Sequence, residues 1–183
     1  MSDARRRLII AVLPLALFAG LVALFIAGVE NSDRRSELPS PLIGQSLPTF
    51  ELPELRDPTR TISSAALTGD YVLVNVWASW CFACRQEHDF LLSLAAREEI
   101  RIVGLNWRDT RPAALKWLGD LGDPYAEIPF DGDGRAGIDF GVYGAPETFL
   151  IAPNGEIVAK HIGPLNEVLW QEKLAPLIES DGS

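Results

Sequence analysis

The run from Tyr71 to Trp77, nearly continuous in apolar side chains and followed at once by Cys81-Phe82-Ala83-Cys84, constrains this chain more than any other feature. A strand with apolar residues on both of its faces must be covered on both, which is the condition of a central strand in an α/β sheet. After Cys84 the apolar residues Phe90, Leu91, Leu94 and Ala95 recur at helical spacing, and Ile100 to Leu105 then reads as another buried strand. The segment is a β-α-β unit with its cysteines where the strand ends and the helix starts. Pro112 to Leu118 predicts a further helix and Tyr125 to Phe130 a weaker strand. Thr148 to Ile151 and Glu156 to His161 flank Pro153-Asn154-Gly155 as a hairpin, and Glu167 to Ile178 closes as a helix. Upstream, Phe50 to Leu55 and Arg60 to Ile62 read as short strands around Asp57-Pro58.

The chain has only 2 Cys and 2 His, so there is no disulfide scaffold, and a four-ligand metal site would need nearly every soft ligand present. Position gives the cysteines their chemistry. At a helix N-terminus the free N–H groups and the helix dipole favour a thiolate, which makes Cys81 the candidate nucleophile. Cys84, one turn on, is placed to attack a mixed disulfide and release a reduced substrate. An inert bridge over so short a loop would gain only about 2 kcal/mol of chain entropy, less than a staple across more chain. Zinc held by Cys81, Cys84, His88 and His161 would lack a second close ligand pair, and Arg85 stands where haem attachment needs His. Asp131-Gly132-Asp133-Gly134 reads as a turn, because Arg135 and Ala136 occupy the positions of a calcium loop's third ligand and turn glycine.

Leu8 to Val29 contains no charged side chain, and a bilayer core takes roughly 20 apolar residues in a helix, so a transmembrane anchor is expected over 8–29. Arg5, Arg6 and Arg7 precede it, while Glu30 and Asp33 offset Arg34 and Arg35 behind it, which puts 1–7 in the cytoplasm and the remainder outside. A cleaved signal peptide fits less well: its apolar region is shorter, and Phe25 is too large for a small-x-small exit ending at Ala27. Residues 30–48, with Pro39, Pro41 and Pro48, are expected as a semi-rigid linker, and 49–183 as the folded domain. With 16 basic against 25 acidic side chains and a net charge of -9, nucleic acid is disfavoured as a partner.

Val74-Asn75-Val76-Trp77-Ala78-Ser79-Trp80-Cys81-Phe82-Ala83-Cys84 resembles the active-site strand and turn of the thioredoxin superfamily. Together with Arg85-Gln86-Glu87-His88, with Phe130 to Gly134 and with the run Gly141 to Ile151, it makes roughly residues 38–178 similar to the membrane-anchored CcmG/DsbE branch. That branch comprises periplasmic thiol:disulfide reductases of cytochrome c maturation. The resemblance implies an α/β thioredoxin-like fold, a central mixed sheet flanked by helices, with an N-terminal strand extension and one N-terminal transmembrane helix. It implies a single pass through the bacterial inner membrane with the C-terminal domain in the periplasm. It also implies no metal and no cofactor beyond a redox-active Cys81–Cys84 disulfide.

For the site, the resemblance implies that Pro146 is a cis-proline beside the cysteines and that the backbone before it, at Ala145, pairs with an extended substrate. Trp80 would cover the active site, and Phe82 and Tyr143 would add apolar contact. Asn75 stands where thioredoxins themselves carry a buried Asp as proton acceptor, so another base is needed, and Glu87, on the Cys84 side of the helix, is the candidate. Glu147 is placed near the same site by the cis-proline loop. Carboxylates there would oppose a thiolate and raise the pKa of Cys81 against the helix dipole. Trp77 is expected in the core, and His88 as a helix residue bonded to nearby backbone.

The activity these expectations describe is reduction of apocytochrome c, or of the cytochrome c maturation factors that present it, before haem attachment. A membrane disulfide reductase would be the electron donor. The alternatives are a broader-specificity TlpA/ResA-like periplasmic reductase and a redox-inactive binding module on the same fold. A peroxidase is disfavoured because Ala78 stands where an activating Thr or Ser would be.

Overall fold

The computed structural model describes residues 12–14, 16–25 and 41–179. The chain divides into two units, Met1–Leu38 and Pro39–Ser183. In the first, the described stretches 12–14 and 16–25 are helical. The transmembrane helix expected over 8–29 requires correction: among the described residues no helix is long and apolar enough to cross a membrane. Crossing a hydrocarbon core takes roughly 20 apolar residues in one helix. The expected cytoplasmic segment 1–7, residues 8–11, 15 and 26–29 of the expected anchor, and 30–40 of the expected linker lie outside the described residues.

The second unit opens with β1 (Glu51–Pro53) and β2 (Thr61–Ser63), paired antiparallel with Leu52 opposite Ile62. This is the expected strand extension. Then come β3 (Val72–Trp77), α1 (Phe82–Ala96), β4 (Arg101–Trp107), α2 (Arg111–Leu121), β5 (Phe130–Asp131), α3 (Arg135–Asp139), β6 (Glu147–Ile151) and β7 (Ile157–Ile162). The chain closes with α4 (Glu167–Leu169), a π-turn at Trp170–Leu174 and α5 (Ala175–Glu179). The main sheet has the order β5-β4-β3-β6-β7, with β3 parallel to β4 and antiparallel to β6. This is the mixed sheet of a thioredoxin-like fold.

All six residues of β3 are buried, as its composition requires of a central strand. Because strand side chains alternate, Leu73 and Trp77 enter one core with Leu91, Leu94, Trp117 and Trp170, while Val72, Val74 and Val76 enter the other with Phe140 and Phe149. Parity therefore puts Asn75 on the α1 face of the sheet, in the same core layer as both cysteines.

The structure departs from expectation in three further places, each with a local cause. The strand expected over Tyr125 to Phe130 shrinks to Phe130–Asp131 plus isolated bridges at Glu127 and Pro129, because Pro124 and Pro129 have no N–H to give a ladder. The closing helix is broken by the π-turn, and Pro176 lies two residues past it, where a proline lacks the N–H for the carbonyl four residues back. Residues 42–47, inside the expected linker, are built onto the sheet: Gly44 N–H donates to Ile157 O at 2.9 Å and Leu47 N–H to Gly155 O at 2.8 Å.

Candidate active site

Cys81 is the N-cap of α1, and its Sγ accepts the Cys84 N–H at 3.0 Å, so one free N–H of the first turn points at the sulfur. The two sulfurs are joined in a disulfide. Both cysteines are buried, Cys81 slightly less than Cys84.

The loop from β3 into α1 is held by a residue the sequence did not bring forward. Asp109, just past β4, accepts hydrogen bonds from Ser79 N–H at 2.6 Å, Ser79 O–H at 2.8 Å, Thr110 N–H at 2.7 Å and Asn106 Nδ2 at 3.2 Å. The Asp109–Ser79 pairing spans 30 positions and exists only because β3 and β4 are neighbours, so no local spacing signals it. Trp80 donates its indole N–H to Arg108 O at 2.9 Å and is otherwise exposed, as are Phe82 and Tyr143. The Ala145–Pro146 peptide is cis, as the resemblance implied, and Ala145 packs against both cores, one of which contains the cysteines.

Glu87 is wholly buried on α1. Its Oε1 accepts from Asn75 Nδ2 at 2.8 Å and its Oε2 from Leu165 N–H at 2.7 Å. Burial pushes its pKa from 4.5 to about 7, against the lowering effect of these two donors. Asn75 completes the network, donating also to Thr148 Oγ1 at 3.2 Å and accepting from the Tyr125 hydroxyl at 2.9 Å. A carboxyl that ionises near neutrality, one turn beyond Cys84, can take or return a thiol proton.

Glu147 is placed differently. Its Oε1 accepts from Tyr143 N–H at 2.9 Å and Gly144 N–H at 3.3 Å, and its Oε2 lies 2.8 Å from Lys160 Nζ, with both side chains buried. Lys160 also donates to Gly141 O at 2.7 Å and lies 5.3 Å from the centre of the Tyr143 ring. The pair therefore ties the loop before Pro146 to β7, and Lys160 balances the charge expected to oppose the thiolate. His88 bonds Gly122 O at 3.1 Å and packs edge-on against Trp117, with its pKa lowered by burial, so it serves the helix packing. Trp77 is fully buried.

A disulfide that closes the first turn of a helix, on this strand order, is suited above all to exchange with another thiol pair, and that defines the class: a thioredoxin-fold thiol:disulfide oxidoreductase. The redoxin family matches residues 42–174. The chain is 46% identical to the thiol:disulfide interchange protein DsbE of Allochromatium vinosum over 92% of each chain. It is 45% identical to DsbE of Escherichia coli, covering 93% of this chain and 94% of that one. A solved chain from Chlorobium tepidum assigned as DsbE superposes with a TM-score of 0.64 at 30% identity, covering 74% of this chain and 97% of that one. The thioredoxin domain of a Bacteroides vulgatus thiol-disulfide oxidoreductase, at 22% identity and a TM-score of 0.65 over 76% of this chain and 99% of its own, shares the fold. The chain belongs to the DsbE family of thiol:disulfide interchange proteins.

Proposed function

We propose that the chain acts in the periplasm as a reductant of apocytochrome c, or of the maturation factors that present it, before haem attachment. In the dithiol form the Cys81 thiolate attacks one sulfur of the substrate disulfide, forming a mixed disulfide and expelling one substrate thiolate. Cys84 then gives its proton to Glu87 and attacks Cys81 Sγ, expelling the second substrate sulfur as a thiolate, which Glu87 or water protonates, and leaving Cys81–Cys84 oxidised. Two electrons pass to the substrate, and a membrane disulfide reductase restores the dithiol in an otherwise oxidising compartment. An extended substrate segment lies along the backbone at Ala145, before Pro146, between the apolar side chains of Trp80, Phe82 and Tyr143. Glu147 keeps that loop in place through Lys160.

The observation that carries this reading is the Cys81–Cys84 disulfide at the start of α1 in a chain 46% identical to a DsbE over 92% of each chain, and the buried Glu87 carboxyl on the same helix supports it as an acceptor for the resolving thiol's proton. The direction is tested by the equilibrium reduction potential of the Cys81–Cys84 pair against a dithiol buffer. A value around or below roughly -200 mV is expected, and one near the roughly -120 mV of a strong oxidant would reverse the proposed electron flow.

A further inference from the structure

We propose that Tyr125 is a positioning residue for the exchange reaction: its buried hydroxyl locks the Asn75 side-chain amide in the orientation that aims Nδ2 at Glu87. The proposal rests on the reading of Glu87 as the group that takes the Cys84 proton. It starts from the sheet register, in which Asn75 on β3 is flanked by Gly104 on β4 and Thr148 on β6. A Cβ at Gly104 would come within 2.7 Å of the Tyr125 ring, so the missing side chain leaves room for that ring over β4. The ring also stacks on Trp77 at 5.4 Å, and its backbone N–H donates to Asp123 Oδ1 at 3.0 Å. Packing thus fixes the ring, and the ring delivers its hydroxyl to Asn75 Oδ1 at 2.9 Å.

In the observed arrangement the Tyr125 phenol proton and both Asn75 amide protons each have an acceptor. The Tyr125 hydroxyl donates to Oδ1, and the two protons of Nδ2 go to Glu87 Oε1 and Thr148 Oγ1. Turning the amide over would set Oδ1 against Oε1, acceptor facing acceptor, and would take from the phenol proton the acceptor it reaches among the described residues. The locked amide matters because both carboxylate oxygens of Glu87 then receive donors, from Asn75 Nδ2 and Leu165 N–H. A proton on Glu87 would add a third donor to that set. The lock therefore favours the ionised carboxylate against the desolvation that opposes it. The other titratable group that faces Glu87 is the Tyr125 phenol; the cysteines at the start of α1 are joined in the disulfide and do not titrate, and His88, the next residue, is turned to Gly122 O. Among the described residues no Lys or Arg hydrogen-bonds to Glu87, so the amide network has no competing cation.

The test uses the full chain in its oxidised state, with glutamate carboxyl carbons labelled for NMR titration and the Glu87 signal assigned by E87Q. In Y125F the Glu87 midpoint should rise by about one pH unit, the size expected for losing a charge-assisted hydrogen bond. The cross-peaks between the Asn75 amide protons and the Thr148 methyl should disappear as the amide turns. An unchanged midpoint overturns the proposal, and so does a raised midpoint with those cross-peaks intact, which would mean desolvation alone. T148V keeps the Tyr125 anchor and should keep the amide orientation; an amide that turns in T148V assigns the lock to Thr148 and overturns the proposal. Should Y125F fail to fold, the unaltered chain decides: the Tyr125 hydroxyl proton should exchange slowly with water, and fast exchange overturns the lock. Failure of the Glu87 reading is distinguishable, because E87Q would then exchange as fast as the parent while the amide signals of Tyr125 variants behaved as described.

Discussion

Glu87 and Glu147 are both wholly buried carboxyl groups, and they differ in what meets their charge. Glu87 faces only dipoles, the Asn75 amide and the Leu165 N–H, and its proton affinity is raised to that of a neutral-pH acid. Glu147 faces an ammonium, Lys160 Nζ at 2.8 Å, together with two N–H groups of the loop it holds. A buried carboxylate matched by a cation is a fastening, because the cation balances its charge and the pair fixes two elements together. One matched by dipoles alone can change protonation, and that is what a proton acceptor requires.

The contrast is broken most directly at Lys160. K160M leaves Glu147 buried without its cation, and the unfolding free energy measured by chemical denaturation should fall by about 3–5 kcal/mol. The double variant E147Q/K160M should regain most of that loss. A K160M penalty below about 1 kcal/mol would mean that the pair fastens nothing.

Glu87 should behave with the opposite sign. Its folded pKa of about 7 lies above the ordinary 4.5, so the folded chain binds this proton more tightly than the unfolded chain does. The resulting stabilisation is complete below pH 4.5 and is lost as the pH rises through 7, about 3 kcal/mol in all. E87Q lacks this dependence. The stability difference between E87Q and the parent should therefore shift in favour of E87Q between pH 4.5 and 8, and a difference that stays flat across that range sinks the assignment.

The same substitution should slow exchange with a model disulfide at pH 7 by about 100-fold and remove the inflection near pH 7 from its rate profile. The smallest effect is expected at Trp80. W80F removes the indole N–H bonded to Arg108 O and should raise the KM for a peptide disulfide about fivefold, roughly 1 kcal/mol, with kcat unchanged. A W80F effect on kcat as large as that of E87Q would erase the expected distinction between exposed Trp80 and buried Glu87.

Much of the candidate site was legible in the sequence because its elements announce themselves locally. Cys81 and Cys84 stand between an apolar strand and a helix-spaced segment, and α1 begins with Cys81 as its cap. Glu87 falls on the buried side of that helix, where its spacing from Cys84 placed it. The resemblance of the run from Gly141 to Ile151 marked the proline that the structure shows as cis. Other parts were misjudged or missed. Glu147 was expected to oppose the thiolate, but its balancing partner Lys160 lies on a different strand, and charge alone does not show which cation a carboxylate will face. Asp109 and Tyr125 carried no motif at all. The apolar stretch from Leu8 to Val29 met the composition of a spanning helix, yet among the described residues no helix reaches the length or apolar character for crossing a membrane.

Sequence by itself determined which residues are strand and which are helix around the cysteines, and which face each presents, because side-chain periodicity and helix capping act within a few residues. Tertiary structure decided the partners. Asn75 meets Thr148 because β3 and β6 pair in one register, Tyr125 reaches Asn75 because Gly104 lies beside it on β4, and Lys160 finds Glu147 across the β6–β7 hairpin. Each contact depends on strand order and register, which the whole core sets at once by burying its apolar faces.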